Sequence, residues 1–464
     1  MRSFLVVLLF LGTSALDLRA AEPSVKSLQR KILKAYKVKK YKDVKTYADQ
    51  MAEIGDKVAA KSLFELGLKL ERGLVYRDLA KAAAKAFTDE SLSFFKKESA
   101  GKKRTRLLYL CDVLAQASHP AAPGLLSPVA KRKDIPLIRA AIEALRTMRK
   151  RTSVTPLLEI LERHVGKKTD VLLEEEARDA LFEITHQDFE AIADWKKWWG
   201  PIQDSFDPHK KDDGGKTGVK RKSRRKSPVF AGKRIDSKNV VFVIDTSGTM
   251  QYVLKDDIPG LQWADGSDSA RRSKGPTETL TPKNAILAKF WTRMETAKRR
   301  LLDALKDFSS DARVNVVTFD RRVRQFEKRL QKYSSSFKKK TMGRVRTLNY
   351  VTVPGTDTLE AIRTAFKCDP RITEIFFLSD GLPSKDGKKN DDPWPLLESI
   401  EILNRFRKIK VHTFGFDPKS YRNPDVPYPD LVKANKFLAE LAERTGGTFQ
   451  TLGVTDEKPP KNFR

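Results

Sequence analysis

The stretch NVVFVIDTSGT, residues 239–249, decides the fold of the C-terminal half. Its first seven residues are a continuous apolar run that ends in Asp245, followed at once by hydroxyls and a glycine. A strand with one wet face would alternate, so an unbroken run predicts a strand buried on both faces. Similar runs follow at 313–319 (RVNVVTF), 374–380 (EIFFLSD), 409–416 (IKVHTFGF) and 447–452 (GTFQTL). Helical patterns separate them at about 284–308, 357–367, 395–407 and 431–445. Strand alternating with helix predicts an α/β unit, a doubly wound parallel sheet of Rossmann-like type.

Such sheets bind ligands beyond the C-terminal ends of their strands, and those ends carry oxygen. The first strand delivers Asp245, Ser247 and Thr249, the run at 374–380 delivers Ser379 and Asp380, and between them Gly355-Thr356 opens a helix. Two carboxylates and three hydroxyls from three segments form a hard donor set without His or Cys. That set suits Mg²⁺, Mn²⁺ or Ca²⁺ and argues against zinc.

The run DTSGT (245–249), with Thr356 and Asp380 later in order, resembles the metal-ion-dependent adhesion site (MIDAS) of von Willebrand factor type A (VWA) domains. The match spans about residues 239–452. By that resemblance Ser247, Thr249 and Thr356 ligate the metal directly. Asp245 and Asp380 act directly or through water, and an Asp or Glu of a partner fills the open position. Two departures stand out: Thr249 holds a place where Ser is commonest, and Pro354 replaces a usual Gly before Gly355. The first keeps the hydroxyl; the second stiffens the loop.

No nucleophile–base pair emerges, so no enzyme is expected. Ser247 lacks the Gly-x-Ser-x-Gly elbow, no phosphate-cradling loop is present, and His412 lies inside a strand pattern. Long segments after strands, at 251–282, 384–393 and 417–429, are expected to gather at the metal rim as a specificity surface. The acidic first of these is a candidate self-inhibiting ligand.

Residues 24–205 read as helix after helix. From Leu107 onward an apolar helix, a break with Pro and a second apolar helix recur about every 30 residues. This region, about 105–200, resembles HEAT-type repeats. Trp195 and Trp199, four apart, are expected to cap the open end of the stack.

The chain has 464 residues and a formal net charge of +31, which predicts attraction to anions without choosing among them. Residues 206–238 are expected to be a flexible basic linker, since 209–238 carry +9 without apolar periodicity. A second basic segment, Arg321–Arg346, carries +10, with a helical pattern expected in FEKRLQKYSSSF (326–337). Two cysteines, Cys111 and Cys368, exclude a disulfide scaffold and read as buried thiols.

Arg2, the apolar run Phe4–Leu11 and small residues up to Ala21 read as an export signal, residues 1–21. The expected organisation is therefore signal (1–21), helical HEAT-like domain (24–205), linker (206–238), VWA-like domain (239–455) and tail (456–464). The expected role is metal-dependent binding of an acidic protein or cell-surface ligand, in the periplasm, at the surface or after secretion. The alternatives are a scaffold subunit that docks an enzyme or ATPase, and a polyanion-binding envelope protein whose metal site is incidental. Nucleic acid is not the expected partner.

Overall fold

The computed structural model describes residues 24–167, 171–210, 226–254, 286, 289–351, 355–385, 388–389, 392–417 and 428–453. The expected signal, the centre of the linker, most of the 251–282 and 417–429 loops, Pro354 and the tail lie outside them.

The N-terminal unit is helical: α1 (Val25–Lys37), α2 (Tyr41–Ile54), α3 (Lys57–Lys69), α4 (Gly73–Lys85), α5 (Leu92–Ala100), α6 (Arg104–Leu114), α7 (Ser127–Ala130), α8 (Ile135–Met148), α9 (Val154–His164), α10 (Val171–Thr185) and α11 (Ile192–Ile202). Local chemistry sets several boundaries. Ser24, Asp56 and Asp134 cap α1, α3 and α8 by accepting from the amides of Ser27, Ala59 and Leu137. Gly55, at φ +68°, ends α2 in the left-handed conformation that glycine adopts without strain.

The apolar faces merge into one continuous core from Leu28 to Trp199. At its far end Trp195 is fully buried and its Nε1 donates to Phe189 O at 3.0 Å. Trp199 donates to Thr155 Oγ1 at 3.0 Å. Both indoles are therefore buried in the last part of the helical core with their N–H groups satisfied.

The C-terminal unit is an α/β sandwich of β1 (Val229–Phe230), β2 (Lys233–Arg234), β3 (Asn239–Asp245), α12 (Arg293–Lys306), β4 (Arg313–Phe319), β5 (Val323–Gln325), β6 (Gln331–Lys332), α13 (Ser335–Arg346), α14 (Thr358–Cys368), β7 (Glu374–Leu378), β8 (Ser384–Lys385), β9 (Lys388–Lys389), α15 (Trp394–Asn404), β10 (Lys410–Phe416), α16 (Tyr428–Arg444) and β11 (Phe449–Leu452). The main sheet runs β11-β10-β7-β3-β4-β5, parallel from β11 to β4, with β3 at its centre. Alternate residues of β3 feed two cores. Val240, Phe242 and Ile244 pack with α12 and α13, whereas Val241 and Val243 pack with α14, α15 and α16. This is the doubly wound arrangement expected from the sequence.

Two segments depart from their sequence reading. Residues 229–234, counted with the linker, form a β1–β2 hairpin. It plugs Phe230 into the core against Phe242, Phe376 and Phe414, with ring centroids 4.8–5.9 Å apart. Ala231 and Gly232 both have positive φ, as a two-residue hairpin turn demands. The expected helix over 326–337 is instead a run of bends with the two-residue strand β6 within it, helical only at its end. β5 and β6 pair antiparallel with β4, and only from Ser335 does helix α13 begin. Short charged strands blunt a sheet edge that would otherwise invite pairing with another chain.

The two units touch, and the contact is charged. Glu176 accepts from Arg139 Nε at 3.0 Å and from Lys410 Nζ at 2.7 Å, while Arg139 Nη1 reaches Thr373 O at 2.9 Å. Arg72 grips Glu398 with two bonds of 2.6 and 2.8 Å, and Lys408 pairs with Asp112. Arg405, nearly buried, donates to the carbonyls of Gly67 and Leu70 and stacks on Tyr76 at 4.2 Å. Thr373 and Lys410 lie at the N-terminal ends of β7 and β10, so the helices cover that edge of the sheet. Among the described residues no helix is long and apolar enough to cross a membrane.

Candidate metal centre

The opposite edge of the sheet carries the predicted site. β3 ends in Asp245, fully buried, because the apolar run carries it to the end of the central strand. Both its oxygens are engaged. Oδ1 accepts from Ser247 N at 2.8 Å and Oδ2 from Ser379 Oγ at 2.6 Å. The first bond folds the chain back after the strand, a turn that short acidic side chains favour. A 3₁₀ turn (248–251) follows, anchored by buried Met250. It brings Thr249 Oγ1 to 3.1 Å from Ser247 Oγ and 2.9 Å from Asp380 Oδ1.

Asp380 is itself buried, one residue beyond Ser379 at the end of β7. Its second oxygen accepts from Arg293 Nη1, in an ion pair whose side chains are both fully buried. Burial, and next the charge of Asp380, push the Asp245 carboxyl well above the usual carboxylate range, against the bonds from Ser379 and Ser247. Two buried carboxylates, three hydroxyls and one guanidinium thus form a polar cluster with more acidic than basic groups.

Thr356 is buried on a neighbouring loop. Its amide donates to Ser384 Oγ at 2.6 Å, and Ser384 N returns a bond to Thr356 O at 2.9 Å. Gly355 precedes it at φ +130°, where a Cβ would lie 3.1 Å from the Arg321 side chain, so both backbone and space call for glycine. Among the described residues, the Thr356 hydroxyl makes no hydrogen bond to the other four.

The structure therefore brings Asp245, Ser247, Thr249 and Asp380 into one bonded cluster and sets Thr356 on a separate loop. Among the described residues no set of three or more His, Cys, Asp or Glu gathers as a metal cluster. The donors here are two carboxylates and hydroxyls. They fit a small hard cation that keeps some of its waters, and they do not fit zinc.

Two residues of the site were missed in the sequence. Arg293 opens α12, where its amide donates to Tyr252 O at 2.9 Å. Its guanidinium lies 5.5 Å from the Phe416 ring and 5.9 Å from that of Tyr252. Asp320, buried just past β4, takes Arg324 and the amide of Arg322, and its own carbonyl holds Asp357 N at 2.9 Å. It braces the Thr356 loop. His412, by contrast, is a core group: burial lowers its pKa, and its Nδ1 sits 2.9 Å from Thr448 Oγ1. Cys111 and Cys368 are both buried and free.

A cavity of about 390 Å³ lies between the two units, lined by Tyr76, Asp112, Arg139, Arg405 and Lys408 among others. It is remote from this site, and these charged groups already hold protein partners.

No family model and no curated protein matches the chain. Solved structures similar to it include von Willebrand factor type A from Catenulispora acidiphila, at 17% identity over 47% of this chain and 39% of that one, with TM-score 0.30. Another is the conserved hypothetical protein BatB from Bacteroides thetaiotaomicron, at 15% identity over 47% of this chain and 91% of that one, with TM-score 0.31. A third is the PilB minor pilin from Streptococcus sanguinis, at 15% identity over 48% and 59%, with TM-score 0.30. At these values the likeness carries no argument about what the site does.

Proposed function

We propose that the C-terminal unit binds a divalent cation, Mg²⁺ or a close substitute such as Mn²⁺ or Ca²⁺, and uses it to hold an acidic group of a protein partner. Asp245, Ser247, Thr249, Thr356 and Asp380 are the residues that would hold the metal. When bound, the metal would supply a Lewis-acidic centre with room for an oxygen donor. The observation that carries this reading is the bonded cluster at the ends of β3 and β7. Asp245 and Asp380 are buried together there, linked through Ser379, Ser247 and Thr249. Arg293 balances one of these two carboxylates, and the charge of the other is expensive to bury without a counter-ion.

The protein's own residues hold the site in shape. Ser379 and the Ser247 amide fix the Asp245 carboxylate, and Thr249 and Arg293 fix that of Asp380. Nothing in the cluster pairs a nucleophile with a base, so the reading is binding rather than catalysis. The helical unit, HEAT-like by its sequence, would give an exported adhesion or scaffold protein its second protein-binding surface.

Calorimetric titration of Mg²⁺ and Mn²⁺ into the full chain, beside Asp245→Ala, tests the proposal. Saturable one-site binding that the substitution abolishes is expected. Equal heats from both proteins would refute it.

A further inference from the structure

The metal-binding reading leaves one charge unaccounted for, that of a guanidinium that already sits on Asp380. We infer that Arg293 is a resident cation of the site, which raises the threshold for metal uptake and requires the completing donor to be negatively charged. The inference rests on the reading under Proposed function.

Arg293 is no wandering surface side chain. It is fully buried, and its Nη1 donates to Asp380 Oδ2 while Thr249 holds Oδ1. Its backbone is fastened to the turn that carries the site hydroxyls. Arg293 N bonds Tyr252 O at 2.9 Å, Leu254 N bonds Trp291 O at 3.0 Å, and Val253 bridges Thr292. Any shift of Ser247 and Thr249 toward a metal is thereby coupled to the placement of the guanidinium.

The charges then decide the consequence. Once both are ionised, as metal ligands must be, Asp245 and Asp380 contribute −2 and Arg293 +1, so among the described residues the touching groups sum to −1. A divalent cation takes this to +1. A net charge in a buried site is unfavourable, and an incoming carboxylate cancels it, whereas an amide or carbonyl does not. Without Arg293 the metal alone would neutralise the two aspartates, and a carboxylate would bring the sum back to −1. The same side chain therefore opposes the metal and favours the acidic ligand. A structural filler would show no such opposition of sign.

The test uses the full chain as wild type, Arg293→Met and Arg293→Lys, with Mn²⁺ and then glutarate as calorimetric probes. For Arg293→Met we expect Mn²⁺ to bind at least ~10-fold tighter, about 1.4 kcal/mol, and glutarate to bind the Mn²⁺-loaded protein at least ~10-fold weaker. Arg293→Lys, which keeps the charge, should stay near wild type in both. Shifts of the same sign, or no shift in a variant whose circular dichroism and melting match wild type, overturn the inference. So does an Arg293→Lys protein that behaves like Arg293→Met.

Should Arg293→Met fail to fold, wild type still decides. Glutarate should tighten Mn²⁺ binding and its neutral diamide should not, and equal effects of the two overturn the inference. Uptake of Mn²⁺ by wild type with the wrong signs sinks this inference alone. No uptake by any protein sinks the metal reading with it.

Discussion

Glu176 offers a sharp test of how the two units are joined. Burial alone would raise its carboxyl, but Arg139 and Lys410 outweigh burial and hold it at about 2, against an ordinary 4.5. The side chain is only 13% exposed, so solvent screens little of this. A depression of about 2.5 units corresponds to about 3 kcal/mol of stability above pH 4.5. Glu176→Gln removes the charge while keeping the shape. Its folded-state pKa being lowered, the contribution of Glu176 is complete at pH 7 and fades as pH falls from about 4.5 toward 2.

The assay is chemical denaturation at pH 7 and pH 3.5, followed by tryptophan fluorescence. At pH 7 the variant should be less stable by about 3 kcal/mol. At pH 3.5 the gap should narrow by about 1 kcal/mol, since the wild type then loses its advantage proton by proton. A gap that is the same at both pH values would show a packing effect rather than a charge effect. No gap at pH 7 would refute the claim that this carboxylate joins the units.

Other outcomes follow from the same contacts. Because the Asp245 carboxyl is held protonated above the usual carboxylate range, Mg²⁺ binding near about pH 6 should release protons, with an enthalpy that tracks the buffer's ionisation heat; a buffer-independent enthalpy would contradict this. Phe230→Ala empties a fully buried site shared by three rings and should destabilise the α/β unit by about 3–5 kcal/mol in urea, whereas a linker residue would lose under ~0.5. Gly67→Ala would drive a methyl into the buried Tyr109 ring beside the carbonyl that Arg405 grips, so thermal melting should fall by several degrees; an unchanged melting temperature would show that the ring can move.

Much of the α/β unit could be read from the sequence because its signals are local. An unbroken apolar run means a strand with two covered faces, and the polar residue that ends it must lie at the sheet's rim. Asp245 and Asp380 are found that way, and Ser247 and Thr249 follow by adjacency. Arg293 is not, since its meaning depends on a partner 87 residues away. One clue was present: it stands four before Ala297 and eight before Leu301, on the buried face of α12.

The β1–β2 hairpin was concealed by charge, the lysines and arginines around Val229-Phe230 masking a two-residue apolar plug. The 326–337 segment misled differently. Its helical spacing is real only from Ser335; before that the chain bends and contributes the short strand β6, whose pairing with β4 no local pattern reveals. The junction of the two units was illegible for the same reason, being built from ion pairs such as Arg72–Glu398.

The helices grip the sheet at the N-terminal ends of its strands, and the oxygen cluster lies at the C-terminal ends, separated by the length of β3, about 20 Å. Were an object held at the cluster, as proposed, it would pull along the strands, through the sheet and into the salt-bridged junction. The hydrogen bonds between parallel strands would then bear that load in shear, all together, rather than opening one after another like a zip. A tether anchored through the helical unit would have its clasp and its mooring at opposite ends of one stiff spacer.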